Sequence, residues 1–533
     1  VAGVSAAVCT ASLLLLSGQP LFRYPVIDAA WHHQWALRVA SGDVLAYAPF
    51  FRAPLYPWVL GLAYAAFGGG PFTGAVLSLV LTCTGGALLH RLALRAMPPR
   101  WALATGLVWA LWGTSVLYAS LLLMEPLYIA LLLASLVLLT QGRPTTDTEN
   151  ASRAGGRSGA AGWLVLGLAA IVRPTALLLV PAAWLAAGRP RPARALPVLI
   201  PVGAVWLCNV MAGDPLTPVS SQGGVNFYIG NSRGSDGYTA FAPLEVSGIL
   251  PEDGSDGGYV DNVHQASLMA FPGVPDGSGI SSRWTARTVS EILSDPSRWI
   301  ALMGAKLVYL VSPVEIPGNY DPYYCRSLDP VLEVLIQPAP AGLPWIVLWL
   351  LLPGALAVRS KGTGAAAGAG LFGLILAAGT VIFFVTARFR LPAVPFLLLW
   401  MMSRAARAPR RAVLLAPAGA AAGIVVGLLT ASLPRTSGVN MPFHDGCAHL
   451  QAGLTGEAGV LFMEALDRAG SRDDVDLNGA DAMYNLGILA ARRGDLEEAA
   501  RWWRTALDRR PGYAPAGRAL EALGVLDPAA PLE

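Results

Sequence analysis

The sequence predicts an all-α polytopic membrane protein with a small, water-facing helical tail. Three observations carry this. The 533-residue chain is 54% hydrophobic and only 13% charged, against roughly one quarter charged in soluble domains. Apolar runs of about 20 residues recur up to about residue 432. Beyond that point the runs stop, and small and aromatic residues recur at a helical-repeat spacing. The net charge of +3 gives no reason to invoke nucleic acid. Of the 37 basic residues only Lys306 and Lys361 are lysine, so arginine positions carry more information than arginine number.

The first apolar run, 2–17, lacks a basic leader and a clear cleavage site and reads as a retained helix. Residues 21–71 form a first external loop. Its end, "RAPLYPWVLGLAYAAFGGG", is short and bounded by Pro and Gly, and is placed against the membrane. Helices follow at about 72–92, 101–120, and from a tight turn near Glu125 to about 140. The stretch "GWLVLGLAAIVRPTALLLVPAAWLAAGRPRPAR" reads as two short helices broken at Arg173-Pro174, because proline removes a backbone donor. The break keeps Arg189, Arg191 and Arg194 on the inner side. A helix at 195–212 leads into a large external loop, 213–298, then an interfacial or re-entrant segment, 299–313. Later spans are placed at about 341–358, 366–386, 391–403 and 412–432. Short cytoplasmic loops collect Lys and Arg. The clusters Arg91/Arg95/Arg100, Arg143/Arg153/Arg157, Arg359/Lys361 and Arg404/Arg407/Arg410/Arg411 then all fall inside. The count is about eleven crossings, with an external C-terminus. Cys9, Cys83 and Cys208 lie in apolar runs and read as small hydrophobes. Cys325 and Cys447 fall in segments placed outside, where a disulfide is an option.

The tail, 433–533, reads as a separate external unit. "AMYNLGILAARRGDLEEAARWWRTALDRRP" sets Leu486, Gly487, Gly494, Ala499, Trp503, Ala506 and Pro511 at tetratricopeptide spacing. "FMEALDRAG" at 462–470 echoes "WRTALDRRP". Two repeats and a short capping helix near 515–524 are expected, forming a surface suited to a protein partner.

Several residues stand out as candidates for chemistry. In "PVIDAAWHHQWALRVASGD", 25–43, Asp28, Trp31, His32 and Trp35 share one helical face where a membrane helix has just ended. Asp28 is either a solvated loop acid or a general base for an acceptor hydroxyl. The tryptophans also suit an interfacial anchor. His32 and His33 with Asp28 raise a divalent metal as an option, though the sequence requires none. Glu125, in "LLLMEPLYIALLL", is either an exposed turn residue or a functional intramembrane acid. Arg173 is either a paired structural charge or a contact for an anionic headgroup. Arg388 and Arg390, in "FFVTARFRLPAVPFLLLW", sit outside against the charge bias and call for a partner. Guanidinium forks suit phosphate, and aromatic packing on Phe389 or snorkelling is the alternative. "GGVNFYIGNSRGSDGY" reads as turn chemistry before it reads as a sugar contact.

The early acid, then "FFRAPLYPWVLGLAYAAFG", "GLAAIVRPTALLL" and the late "RFRLPAVPF" resemble bacterial members of glycosyltransferase family 39. These are relatives of the protein O-mannosyltransferases and the lipid A aminoarabinose transferase within the GT-C superfamily. The resemblance covers about 1–430, and the repeat tail looks like one appended in some bacterial members. It implies a GT-C-like bundle in the bacterial cytoplasmic membrane, a polyprenyl-phosphate-linked sugar donor, and inverting transfer on the periplasmic face. The acceptor would be a lipid, a glycan or a protein. It maps the first-loop acid onto Asp28 and suits Arg388, Arg390 and Arg173 to the donor phosphate, with Glu125, His32 and His33 as auxiliaries. Members often carry Asp-Glu where this chain has Asp28-Ala29, which leaves the acceptor open. A transporter or flippase for lipid-linked glycans would use the same arginines, but no inverted repeat is evident. A repeat-bearing assembly scaffold would need no early acid.

Overall fold

The computed structural model describes every residue except 45–47, 142–148, 240–261, 339–341, 359–363, 434–439, 471–477 and 525–533, with the backbone alone for 149–158, 262, 266, 343 and 344. Arg143, Arg359 and Lys361 lie outside the described residues, as do the side chains of Arg153 and Arg157 and the boundary between body and tail.

Among the described residues every regular element is helical. The body is one apolar core shared by helices from residue 9 to residue 402, with Trp112, Trp163, Tyr128 and Phe396 fully buried. Among the described residues four helices are long and apolar enough to cross a bilayer: Pro71–Ala96, Pro192–Met211, Gly364–Ile382 and Arg410–Leu429. Ala2–Leu16 and Pro20–Ala40 add a pair bent by 106°. A bend that sharp turns the second limb, which holds Ile27–Ala40, roughly perpendicular to the first.

Among the described residues length and composition single out four spans, or five with the bent pair, where the sequence expects about eleven crossings. The other apolar helices are short: Leu55–Phe67, Glu125–Leu139, Gly159–Ala170, Pro174–Ala186 and Trp345–Ala357. At 1.5 Å per residue each reaches only part of a roughly 30 Å core. The run expected as one helix over 101–120 is two, Pro99–Ala110 and Gly113–Tyr118, parted at a fully buried Trp112. The break at Arg173-Pro174 is present: one helix ends at Ala170 and a 3-10 turn, Pro174–Leu179, follows.

Residues 296–311 form the amphipathic helix Pro296–Val311, with Ile300 and Leu307 exposed and Lys306 fully buried. The loop motif at 223–238 is largely structural. Asn231 donates to Phe227 O and Ile382 O, and its Oδ1 accepts from Trp299 and Lys306.

Among the described residues of the tail are two helix pairs and a last short helix: Met441–Gln451 with Thr455–Ala469, Gly479–Arg492 with Leu496–Arg509, then Ala514–Ala522. Gly487 sits under the Trp503 indole, where a Cβ would lie 2.3 Å from Nε1, so the repeat's glycine and tryptophan make one contact. The first tail helix also belongs to the body. Met441 is part of the main core, and Tyr324 Oη donates to Asp445 Oδ2 at 2.6 Å. Cys325 and Cys447 are thiols and form no disulfide.

Candidate functional site

Four separate stretches of chain bring charged groups to one place. Asp28 stands in the first turn of Ile27–Ala40. The residue before it, Ile27, has φ +53°. A β-branched residue in the left-handed region carries backbone strain of about 1–3 kcal/mol, and here it directly precedes Asp28. Glu125 opens the Glu125–Leu139 helix with Pro126 behind it, where a helix N-terminus favours a carboxylate. Arg173 is extended at φ −149° because proline follows it. Arg388 lies in the single turn Ala387–Arg390, which Thr386 caps through its hydroxyl.

Arg388 is the centre. Its Nε donates to Glu125 Oε1 at 2.7 Å, and its Nη1 donates both to Asp28 Oδ2 and to Asn319 Oδ1, the latter at 2.8 Å. Arg173 Nη2 donates to the same Glu125 oxygen at 2.7 Å, and its guanidinium lies over Phe389 and Tyr128. Arg52 Nη1 donates to the other Asp28 oxygen at 2.7 Å and its guanidinium lies over Trp31. Three guanidinium groups, those of Arg52, Arg173 and Arg388, face the carboxylates of Asp28 and Glu125. Glu125 and Arg388 are 0% and 3% exposed at their side chains, and Asp28 is 17% exposed. Glu125 Oε2 is fully buried and has no hydrogen-bond partner among the described residues. Guanidinium forks gathered in a buried cluster suit an anionic, hydrogen-bonding guest.

Burial alone pushes the Asp28 carboxyl up, but Arg52 and Arg388 outweigh it and hold it below the usual carboxylate range. Asp28 is therefore ionised at neutral pH, and it is a weaker base while both arginines grip it. His32 is pushed down to about 4 by burial, and its Nδ1 bonds Leu122 O at 2.8 Å. It is neutral at pH 7 and packs edge-on against Trp31 and Tyr56. His33 bonds Tyr64 Oη instead. Among the described residues no group of three or more His, Cys, Asp or Glu is arranged to hold a metal.

The structure thus brings together Asp28, Glu125, Arg173 and Arg388, with His32 beside them. Full burial of Glu125 rules out the exposed-turn reading, and Arg173 is paired. Arg390 stands apart. Its Nη atoms donate to the carbonyls of Tyr309, Ser312 and Val314 and to Glu315 Oε2, and its guanidinium lies 4.2 Å over Trp345. It is 0% exposed and braces the backbone. Arg52 and Asn319 were missed from the sequence. Arg52 had a usable signal: an arginine in the first external loop breaks the positive-inside pattern just as Arg388 does. Asn319 had none.

No protein-family model matches the sequence, and no curated protein does. The fold is similar to that of ArnT from Cupriavidus metallidurans in the apo state, at 15% identity and TM-score 0.42 over 98% of this chain and 76% of that one. It is similar to the same protein bound to undecaprenyl phosphate, at 15% and 0.41 over 98% and 77%. A third similar structure is the archaeal oligosaccharyltransferase AglB from Archaeoglobus fulgidus in complex with an inhibitory peptide and a dolichol-phosphate, at 12% and 0.26 over 99% and 60%.

Proposed function

We propose that the chain is a GT-C-type membrane glycosyltransferase that moves a sugar from a polyprenyl-phosphate donor to an acceptor hydroxyl. The reaction would run at the periplasmic face of a bacterial cytoplasmic membrane, with the tail on that side. The observation that carries the reading is Arg388, one guanidinium bonded at once to the candidate base and to a buried acid. A donor phosphate entering the cluster competes with Asp28 and Glu125 for Arg388, Arg173 and Arg52. As the arginines turn to phosphate, Asp28 is released and its basicity rises. It then accepts the acceptor's hydroxyl proton. The oxygen attacks the anomeric carbon from the face opposite the phosphate, the carbon–oxygen bond to phosphate breaks, and the polyprenyl phosphate leaves with the electron pair. Preorganised guanidinium groups stabilise that leaving charge. The product is inverted. Arg390 has no part in this scheme beyond bracing the turn that carries Arg388.

The test is sugar transfer from a polyprenyl-phosphate donor by the purified chain. Asp28→Asn is expected to lower turnover by about 10²–10⁴ with donor binding retained. Activity within about tenfold of the parent removes Asp28 as the base. Donor translocation without transfer returns the flippase reading.

A further inference from the structure

The segment from Ser312 to Arg326 is a strap between the charged cluster and the tail. Its first half is laced to the turn that carries Arg388. Ala387 N donates to Ile316 O at 2.8 Å, and Arg390 donates to the carbonyls of Ser312 and Val314 and to Glu315. Gly318 lies against the same turn, where a Cβ would be 3.3 Å from Thr386 Oγ1 and 3.6 Å from Arg388 Cβ. Asn319 then accepts from Arg388 itself. The strap closes on itself where Glu315 N donates to Tyr323 Oη at 2.9 Å.

Its second half is the short helix Pro322–Arg326, capped by Asp321. From this helix Tyr324 Oη reaches 121 residues along the chain to Asp445 Oδ2, at 2.6 Å. Asp445 is buried on the first tail helix, and its Oδ1 lies 3.0 Å from His449 Nδ1, one turn on. Only four residues thus separate a ligand of Arg388 from a bond to the tail, and backbone bonds hold the strap at the Arg388 end.

We infer that Tyr324 and Asp445 are positioning residues for Arg388: the first tail helix holds the strap, the strap holds Asn319 against the guanidinium, and so the tail sets how well the site binds a polyprenyl phosphate. This rests on the proposed role of Arg388. A charge-assisted hydrogen bond between a buried carboxylate and a phenol is strong and directional, so it transmits a change of position in the tail helix to the strap. A domain that merely hangs from the last span would need no such bond.

The experiment uses the full chain in detergent, with polyprenyl phosphate as the probe. Tyr324→Phe keeps the ring and removes the hydroxyl. It is expected to weaken polyprenyl-phosphate binding about fivefold, and Asn319→Ala is expected to do at least as much. The double variant should bind no worse than Asn319→Ala, because both act through one contact. Asp445→Ala should reproduce Tyr324→Phe, and Asp445→Asn, which keeps an acceptor oxygen, should restore most of the affinity. Hydrogen exchange should quicken over 386–390 in Tyr324→Phe while 479–509 stays protected. Parent-like binding in Tyr324→Phe and Asp445→Ala, or faster exchange confined to 322–326 and the tail, overturns this inference alone. A parent chain that does not bind polyprenyl phosphate overturns the proposed function and this inference with it.

Discussion

Arg388 and Arg390 are two residues apart and do different work. Arg388 bonds two carboxylates and an amide at the cluster, whereas Arg390 spends its Nη atoms on three carbonyls and Glu315. Their variants should separate. Arg388→Lys is expected to lose donor affinity and turnover, because a lysine cannot reproduce the planar fork. Arg390→Ala is expected to cost about 3–5 kcal/mol of stability by leaving Glu315 buried and unpaired, with the donor KM of the surviving folded protein near the parent's. Donor titration beside thermal unfolding in one detergent checks both, and a raised donor KM in Arg390→Ala with unchanged stability would return Arg390 to the phosphate site. His32 gives a pH prediction. Its folded value of about 4 lies below the ordinary 6.5 because burial penalises the charged ring. The unfolded chain therefore binds its proton first as pH falls, and stability drops between about 6.5 and 4. Asp28 adds little in that window: its folded carboxyl stays ionised, and its share begins to be lost only near the acid end, where the unfolded carboxyl starts to protonate. His32→Gln should flatten the fall in melting temperature from pH 7 to 4.5, leaving the part due to His33 and His444, which are also lowered by desolvation. An unchanged slope would show that His32 protonates without cost in the folded state.

At the scale of elements, breaks build the site. Proline after Arg173 turns that residue extended and out of its helix. Proline after Glu125 starts a helix with the acid at its positive end. The single turn Ala387–Arg390 interrupts what would otherwise be one apolar stretch from Gly364 to Ala405. Each break spends helical hydrogen bonds and returns a side chain aimed at the cluster. The tail shows the opposite economy, with regular hairpins set by close contacts. Gly487 admits the Trp503 indole, and Trp503 Nε1 donates to Tyr484 O at 3.1 Å. Gly487→Ala puts a methyl inside that contact and is expected to destabilise the second hairpin by about 1–3 kcal/mol, read as faster hydrogen exchange over 479–509 with the body unaffected. Unchanged protection there would mean the indole moves aside without cost.

For the whole molecule, the first hairpin of the tail docks on the body and the second packs on the first, with Phe462 and Ala465 sharing one core with Leu486 and Leu489. Met441 and Asp445 are tied to the body, while the cluster around Trp503 has its own small core. A chain ending at 440 is therefore expected to lose donor affinity, whereas one ending at 470 should keep sugar transfer within about twofold and lose only what the second hairpin binds. Equal activity of the two shortened chains would show that the first hairpin is an independent appendage, and loss of transfer in both, with the protein still folded, would place the second hairpin in the site.

The sequence by itself determined the class of the molecule. Low charge and long apolar runs require an all-helical membrane body, and the spacing of small and aromatic residues predicted a helical tail. It also singled out Asp28, Glu125, Arg173, Arg388 and Arg390 alike, because a charge in or beside an apolar run is costly whatever its neighbours and therefore needs a reason. Tertiary structure decided what those charges do. Asn319 is an ordinary loop residue until the strap lies against Arg388, and Arg52 becomes a ligand of Asp28 only when the first loop folds back on its own helix. It also separated Arg388 from Arg390. Along a helical turn each residue rotates about 100°, so neighbours two apart point to opposite sides. Both arginines carry the same charge on the same motif, and only the packing of the strap against that turn shows which one faces the carboxylates and which one faces the strap's carbonyls.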